Sequence, residues 1–431
     1  MSQFQPPQVA KRNVYLDHAA ATPMDPRVLA AMTPYFTTIY GNPGGLYDAG
    51  REALYAVTQA RTTIATIFGC NPGNIIFTGS GTESDNMAVF GIARQYAAKG
   101  KHLISLAIEH HAVLHPLEAL EKEGFETTYV AVDETGRVSV ESVMAALRED
   151  TTLVTIMYAN NEIGTINPIG EIGNAITKWK KEHGRGPTEP PFLHTDACQA
   201  AGALEMNVDK LHVDLMTING SKIYGPKGVG ALFIRKGVSI KPIVMGGGQE
   251  FRKRAGTENV AYIVGLATAI ANMQAEKDAE NARLLELRDW FIKELHARMP
   301  KIVLNGHPTE RLPNNINVSI LDIEGEALIL YLDEYGISMS TGSACTSESL
   351  DPSHVITGIG RPYEYAHSSM RFTLGKTTTR EDLEYVLTVL VPTVAFLRQV
   401  SPVRIAMGDE KSVSMASAFV EDGLPHFVTK K

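Results

Sequence analysis

From Asn74 to about Arg235 the chain repeats one pattern: a short apolar run rich in β-branched residues, a glycine or polar turn, then a stretch with apolar residues spaced as on one helix face. Apolar runs of this kind are buried on both faces, and such strands belong to a mainly parallel sheet whose crossovers are helices. The spacing predicts strands at Ile75–Thr78, His102–Leu106, Thr127–Val132, Leu153–Tyr158, Phe192–Thr195, Leu215–Ile218 and Ala231–Arg235, with helices such as Glu83–Ala98, Val113–Glu123 and Ile169–His183 between several of them. The last two runs leave no room for a helix, so they are expected to pair antiparallel.

The chain has 431 residues, too many for one ordinary domain, and its 44% hydrophobic content supports a large core. Residues 14–262 are expected to form a large domain. Residues 263–400, with the N-terminal 1–13, are expected to form a smaller α/β domain entered through a long helical pattern from about Asn259 to Arg298. The 401–431 tail has weak periodicity and reads as an extension, and the Glu182–Pro191 stretch as a solvated loop without chemistry. A net charge of −8 with 20% charged residues argues against nucleic acid or an anionic membrane as the partner, leaving a small substrate. Met1–Arg12 has no apolar core of a secretory leader, and no later stretch approaches a bilayer span, so a cytoplasmic protein is expected. Three cysteines, Cys70, Cys198 and Cys345, fit neither a disulfide framework nor a zinc ribbon, so an important one should act singly as a thiol; no metal is expected.

Three motifs carry chemistry. Ile75–Thr78 runs into Gly79-Ser80-Gly81-Thr82-Glu83-Ser84, a strand, a small-residue turn and a helix start, which presents backbone amides at Gly81 and Thr82 to an anion such as phosphate. Thr195-Asp196-Ala197-Cys198-Gln199 closes a strong strand and puts Asp196 at the edge where α/β sheets expose functional side chains. Asn219-Gly220-Ser221-Lys222 closes the next, and a lysine half-desolvated between a strand and the glycine-rich turn after it is suited to forming a Schiff base. Each has a plainer reading taken alone: such turns recur for geometric reasons, a strand-end Asp caps helices, and a lone lysine is usually solvated. Together and in this order they match the needs of pyridoxal 5'-phosphate.

The strings Asp196-Ala197-Cys198-Gln199, Lys222-Ile223-Tyr224-Gly225-Pro226-Lys227-Gly228 and Ser340-Thr341-Gly342-Ser343-Ala344-Cys345-Thr346-Ser347 resemble cysteine desulfurases of the housekeeping and nitrogen-fixation type, within the class V aminotransferases. The resemblance runs from about Val14 to about Val400. It implies a fold-type-I pyridoxal-phosphate transferase, a homodimer with a large seven-stranded domain and a smaller α/β domain. By the same resemblance Lys222 carries the cofactor, Asp196 meets the pyridine nitrogen, Gln199 the phenolic oxygen, and His110 stacks on the ring and moves protons. Gly81, Thr82, Asn219 and Ser221 hold the phosphate, and Thr257 reaches the phosphate of the neighbouring subunit. Asn161 lies by the cofactor oxygen and the substrate carboxylate, which Arg371 grips.

The resemblance further implies that Cys345 takes sulfur from L-cysteine as a persulfide, releases alanine, and passes the sulfur to an iron–sulfur scaffold protein or a tRNA-thiolation enzyme. The chain departs from the family at Asn219 and Ser221, where serine and histidine are usual, which removes a charge-assisted contact to phosphate. His111, Cys198 and Tyr47 also replace more usual residues, and His111 and Cys198 are expected to be structural. A plain aminotransferase or selenocysteine lyase would share Lys222 and Asp196, and a scaffold that has lost turnover would share the fold; Cys345 separates the aminotransferase from the expected activity.

Overall fold

The computed structural model describes residues 8–341, 352–402 and 404–405. The seven expected strands form one sheet: Ile75–Thr78 (β1), His102–Leu106 (β2), Glu126–Val130 (β3), Thr151–Thr155 (β4), Phe192–Asp196 (β5), Leu215–Asn219 (β6) and Gly230–Ile234 (β7). Their order is β1-β7-β6-β5-β4-β2-β3. β7 runs antiparallel to both neighbours and every other pair is parallel. Because β1 and β6 each oppose β7, all strands but β7 point their carboxyl ends to the same edge.

Side chains alternate between the two faces, as the period of a strand requires. Phe77, Ile104, Val154, Leu193 and Met216 join a core that includes the Asp48–Phe68 helix and the start of the Val260–Arg298 helix. Ile76, Leu103, Leu153, Phe192 and Leu215 face the opposite core, under the Gly81–Gln95 and His111–Lys122 helices. β4 begins two residues before the expected Leu153, because Thr151 and Thr152 are buried with their hydroxyls bonded to His102 Nδ1 (2.7 Å) and His102 O (3.3 Å). Apolar periodicity does not register a buried threonine whose partner sits on another strand. Beyond Thr155 the ladder continues irregularly, with Ile156 N donating to His194 O and Tyr158 N to Asp196 O.

A second, antiparallel sheet has the order β10-β11-β9-β8, from Ile302–Leu304 (β8), Asn315–Ile320 (β9), Ser340–Thr341 (β10) and Ser369–Thr373 (β11). Its core gathers Ile316, Val318 and Phe372 with Phe291 and Leu295 of the long helix, Phe291 meeting Phe372 edge-on at 5.4 Å. Each such fully buried side chain contributes about 1.5–3 kcal/mol. The Val260–Arg298 helix therefore serves both sheets: Val260 to Ile270 belong to the larger core and Leu284 to Leu295 to the smaller. Val14 and Leu16, assigned by the sequence to the larger unit, pack in the smaller core, where Val14–Tyr15 pairs with Ile337–Ser338. The chain then crosses back over Thr373 and the Lys222 turn at Asp17–Thr22.

The expectation that no stretch approaches a membrane span needs correction. The Arg380–Val400 helix is long and apolar enough to cross a bilayer by length and composition. Leu383, Val386, Leu387, Leu390 and Val394 of this helix are buried in the smaller core, which accounts for the apolar run.

Candidate active site

Five strands that point the same way, β1, β2, β4, β5 and β6, deliver polar residues to the shared carboxyl edge. β1 leads into the turn that starts the Gly81–Gln95 helix. Ser80 caps it, its Oγ accepting from Glu83 N (3.1 Å), which leaves the Gly81 and Thr82 amides without an intrahelical acceptor. A Cβ on Gly81 would lie 2.8 Å from Cys198 Sγ and 3.2 Å from Asn219 Cβ, so the close packing of this turn on the ends of β5 and β6 requires glycine. β6 ends at Asn219, whose Oδ1 accepts from Ser221 N (3.2 Å).

β5 ends at Asp196, buried, with Oδ1 accepting from Cys198 N (2.9 Å). Three residues on, Gln199 Nε2 donates to Ala19 O (3.0 Å), the same carbonyl that accepts from Lys222 Nζ (2.9 Å); Lys222 Nζ also donates to Ala20 O (2.6 Å). The N-terminal segment thus closes over the lysine and the glutamine together. A cavity of about 40 Å³ beside Lys222, lined by His18, Thr22, Gln199 and Tyr224, has room for water. β2 leads to His110, which caps the His111–Lys122 helix by accepting from Ala112 N at Nδ1 (3.0 Å). Burial lowers the His110 pKa, opposed by Asp196 and assisted by Lys222, so its ring is neutral at pH 7.

Beneath these residues lie acids that the sequence reading missed. Asp85, on the inner face of the Gly81–Gln95 helix, is 3.6 Å from His194 Nε2, and both are fully buried. Glu109 accepts from Met157 N (2.7 Å) at one oxygen, and the other has no hydrogen-bond partner among the described residues. Burial pushes both carboxyl pKa values well up. Nothing local marks these acids, since their burial is created by strands far along the chain.

β4 leads to Asn160-Asn161-Glu162, against which the smaller sheet sets Arg371. Arg371 is 2% exposed and donates to Asn161 O (3.1 Å) and Asp17 Oδ1 (2.8 Å); its Nε has no partner among the described residues. Glu162 accepts from Ser353 Oγ, and burial raises its pKa to about 7. His354 Nε2 lies 2.9 Å from Glu109 O, and the His354 ring lies 4.6 Å from that of His111. Burial and the neighbouring imidazoles bring the His111 pKa down to about 4. Cys345 lies outside the described residues, between β10 and Ser353. Thr257 is exposed on the turn before the long helix, three residues past Arg254, which pairs with Glu83 Oε1 (2.7 Å).

These residues fit pyridoxal phosphate. The side-chain-free turn at Gly81 and its open amides suit a phosphate; a buried carboxylate and a part-buried amine stand at the ends of adjacent strands; and a buried guanidinium keeps one N–H for an incoming carboxylate. Asn219 Oδ1 is taken up by Ser221 N, so its amide nitrogen is the atom left to serve an anion.

Comparison with known proteins agrees with this geometry. Residues 14–386 match the family described as aminotransferase class-V. A protein of Dictyoglomus turgidum named cysteine desulfurase IscS is 51% identical over 392 residues, 91% of this chain and 97% of that protein. The human protein named cysteine desulfurase is 41% identical over 394 residues, 91% of this chain and 84% of that one. Among solved structures, a NifS-like protein superposes with a TM-score of 0.82 at 34% identity, over 90% of this chain and all of the other. One described as SspA in complex with cysteine gives 0.73 at 34%, over 84% and 98%. The chain belongs to the aminotransferase class-V family.

Proposed function

We propose that this chain is a pyridoxal-phosphate-dependent cysteine desulfurase that converts L-cysteine to L-alanine and carries the sulfur as a persulfide on Cys345. The observation that carries an amino-acid substrate is Arg371, a buried guanidinium beside Asn161 whose Nε–H has no partner among the described residues. Identity of 41% and 51% over 91% of the chain to two proteins named cysteine desulfurase supports the choice of amino acid.

Lys222 would hold the cofactor covalently, Asp196 would accept from its ring nitrogen, and Gln199 would meet its phenolic oxygen. The Gly81 and Thr82 amides with Asn219 and Ser221 would hold its phosphate, joined by Thr257 of a second copy in a homodimer. When bound, the cofactor supplies an electron sink for bond cleavage at the substrate's Cα and Cβ. Arg371 and Asn161 orient the substrate carboxylate, which fixes the Cα proton relative to Lys222. His110 Nδ1 accepts from Ala112 N, so the neutral ring carries its proton on Nε2 and can donate a hydrogen bond from there; taking up the substrate thiol proton would require Nδ1 to give up the Ala112 bond. In the sulfur step the Cβ–Sγ bond of L-cysteine breaks, a bond forms between that sulfur and Cys345 Sγ, and the thiol proton ends on the alanine methyl group; no further oxidant or reductant is required. The larger unit holds the cofactor and the smaller supplies Arg371 and the Cys345 segment, with 401–431 an extension. The sulfur then passes to an acceptor protein of iron–sulfur assembly or tRNA thiolation, in the cytoplasm.

Purified protein loaded with pyridoxal phosphate and given L-cysteine is expected to release alanine and to retain sulfur on Cys345. Cys345→Ala should keep the cofactor absorbance and lose persulfide, and Lys222→Ala should lose both the bound-cofactor absorbance and alanine. Alanine production undiminished in Cys345→Ala, or a keto acid as product, would overturn the assignment in favour of an aminotransferase.

A further inference from the structure

The turn between β7 and the long helix contains three consecutive non-glycine residues in the left-handed region: Glu250 (φ 44°), Phe251 (φ 57°) and Arg252 (φ 63°). Each costs free energy in this conformation, and a run of three persists only where surrounding contacts enforce it. The enforcing contact is Arg61, on the Asp48–Phe68 helix. Its guanidinium meets the Glu250 carboxylate in a two-point pair at 2.6 and 2.8 Å, and Nη1 also donates to Ile75 O (2.5 Å). Phe77 on the edge strand β1 donates its amide to Glu250 Oε2 (2.9 Å), and Arg61 stacks against the rings of Phe77 (4.6 Å) and Phe251 (5.1 Å). Arg61 and Glu250 are 8% and 5% exposed. A second tether follows at Arg254, bound to Glu83 at the start of the helix whose Gly81 and Thr82 amides are assigned to the phosphate in the proposed function. Thr257 lies exposed just beyond, and Val244, Met245 and Phe251 present apolar side chains to the outside.

We propose that Arg61 and Glu250 are positioning residues for cofactor binding: their pair holds the left-handed Glu250–Arg252 turn so that Thr257 is presented to the phosphate held by a second copy of the chain. The inference rests on the reading of Thr257 given above. A buried pair alone would be a poor argument, since such pairs are often no more stabilising than apolar side chains of the same size. What sets this one apart is its placement: it bonds the free amide of an edge strand, clamps the strained turn, and leads in four residues to the Arg254 tether.

The test compares the full-length protein loaded with pyridoxal phosphate and with pyridoxal, which lacks the phosphate, following bound-cofactor absorbance. Thr257→Ala is expected to weaken pyridoxal phosphate by roughly tenfold, the value of one hydrogen bond to a charged group, and to leave pyridoxal unchanged. Glu250→Gln, which keeps an acceptor for the Phe77 amide, should do the same, and the double variant should be no weaker than either single one. Arg252→Gly removes one left-handed penalty without touching the pair, so in the Glu250→Gln background it should restore part of the lost affinity. If Thr257→Ala keeps the full preference for the phosphate form, the reading of Thr257 fails and the proposal falls with it. If Thr257→Ala loses that preference while Glu250→Gln retains it, or weakens both cofactors equally, only the role of the pair is overturned. A Glu250→Gln protein that does not fold even with Arg252→Gly assigns the pair to global stability and likewise overturns it.

Discussion

Glu162 shows how one carboxyl can be tuned by surroundings that no local pattern predicts. It sits next to Asn161 in a polar run, yet it is buried, with Ser353 donating to it. Burial is the larger effect on its pKa, raising it to about 7, with the Ser353 hydrogen bond and Arg371 pulling the other way. A carboxyl raised in the folded state binds its proton more tightly there than in the unfolded chain. Its contribution to stability is therefore complete below the unfolded value, near 4.5, and is lost as the pH rises through 7. At 1.36 kcal/mol per unit the loss is on the order of 3 kcal/mol. Thermal unfolding of wild type and Glu162→Gln, followed from pH 5 to pH 8, should show the wild type losing stability relative to the variant. Parallel curves would show that Glu162 stays ionised throughout. Lys222 and Asp196 were legible because each stands in a contiguous motif at the end of an apolar strand. Glu162, Asp85 and Glu109 were not, because the groups that bury them come from β5, β6 and the Ser353 helix start.

At the scale of elements, strand identity was set by apolar runs that need no partner to be recognised, and β2 matches its expected limits, His102 and Leu106. Helix starts moved by two residues where a polar side chain capped them, at Ser80 and His110. The Arg380–Val400 helix carries the converse lesson: an apolar run is equally suited to a bilayer and to a small sheet's core, and only the packing of Leu387 and Leu390 decides. The Gly81 helix start is the element on which cofactor retention should depend most steeply. Gly81→Ala would put a methyl group 2.8 Å from Cys198 Sγ, so the turn or the thiol must shift. The expected cost is about 1–3 kcal/mol in unfolding free energy, with a corresponding loss of pyridoxal phosphate affinity. Adding Cys198→Ala opens space at that point and should recover most of both. A Gly81→Ala protein as stable as wild type, or one not rescued by the second change, would place the strain elsewhere.

The whole molecule works as two sheets joined by the Val260–Arg298 helix and by a few polar contacts, of which Arg371 is the most consequential. It stands on β11 of the smaller sheet, reaches Asn161 beyond the end of β4 in the larger, and holds Asp17 of the segment that covers Lys222. The sequence marked Arg371 as a substrate contact through resemblance; its second role as a link between the sheets depends on Asp17 and Asn161, which lie 354 and 210 residues away. Arg371→Lys keeps the charge but not the planar fork, so it cannot meet the Asn161 carbonyl, Asp17 and a substrate carboxylate at once. KM for L-cysteine should rise between roughly tenfold and a hundredfold, equivalent to about 1.4–2.8 kcal/mol. Cysteamine, which has the amine and thiol of cysteine without the carboxylate, separates the two roles. If Arg371 serves the carboxylate, the variant and the wild type should bind cysteamine alike, read as the change in cofactor absorbance on titration. An equal loss for both ligands would mean that Arg371 acts only by holding Asp17 and the segment over Lys222 in place, and the substrate contact would have to be sought in another residue.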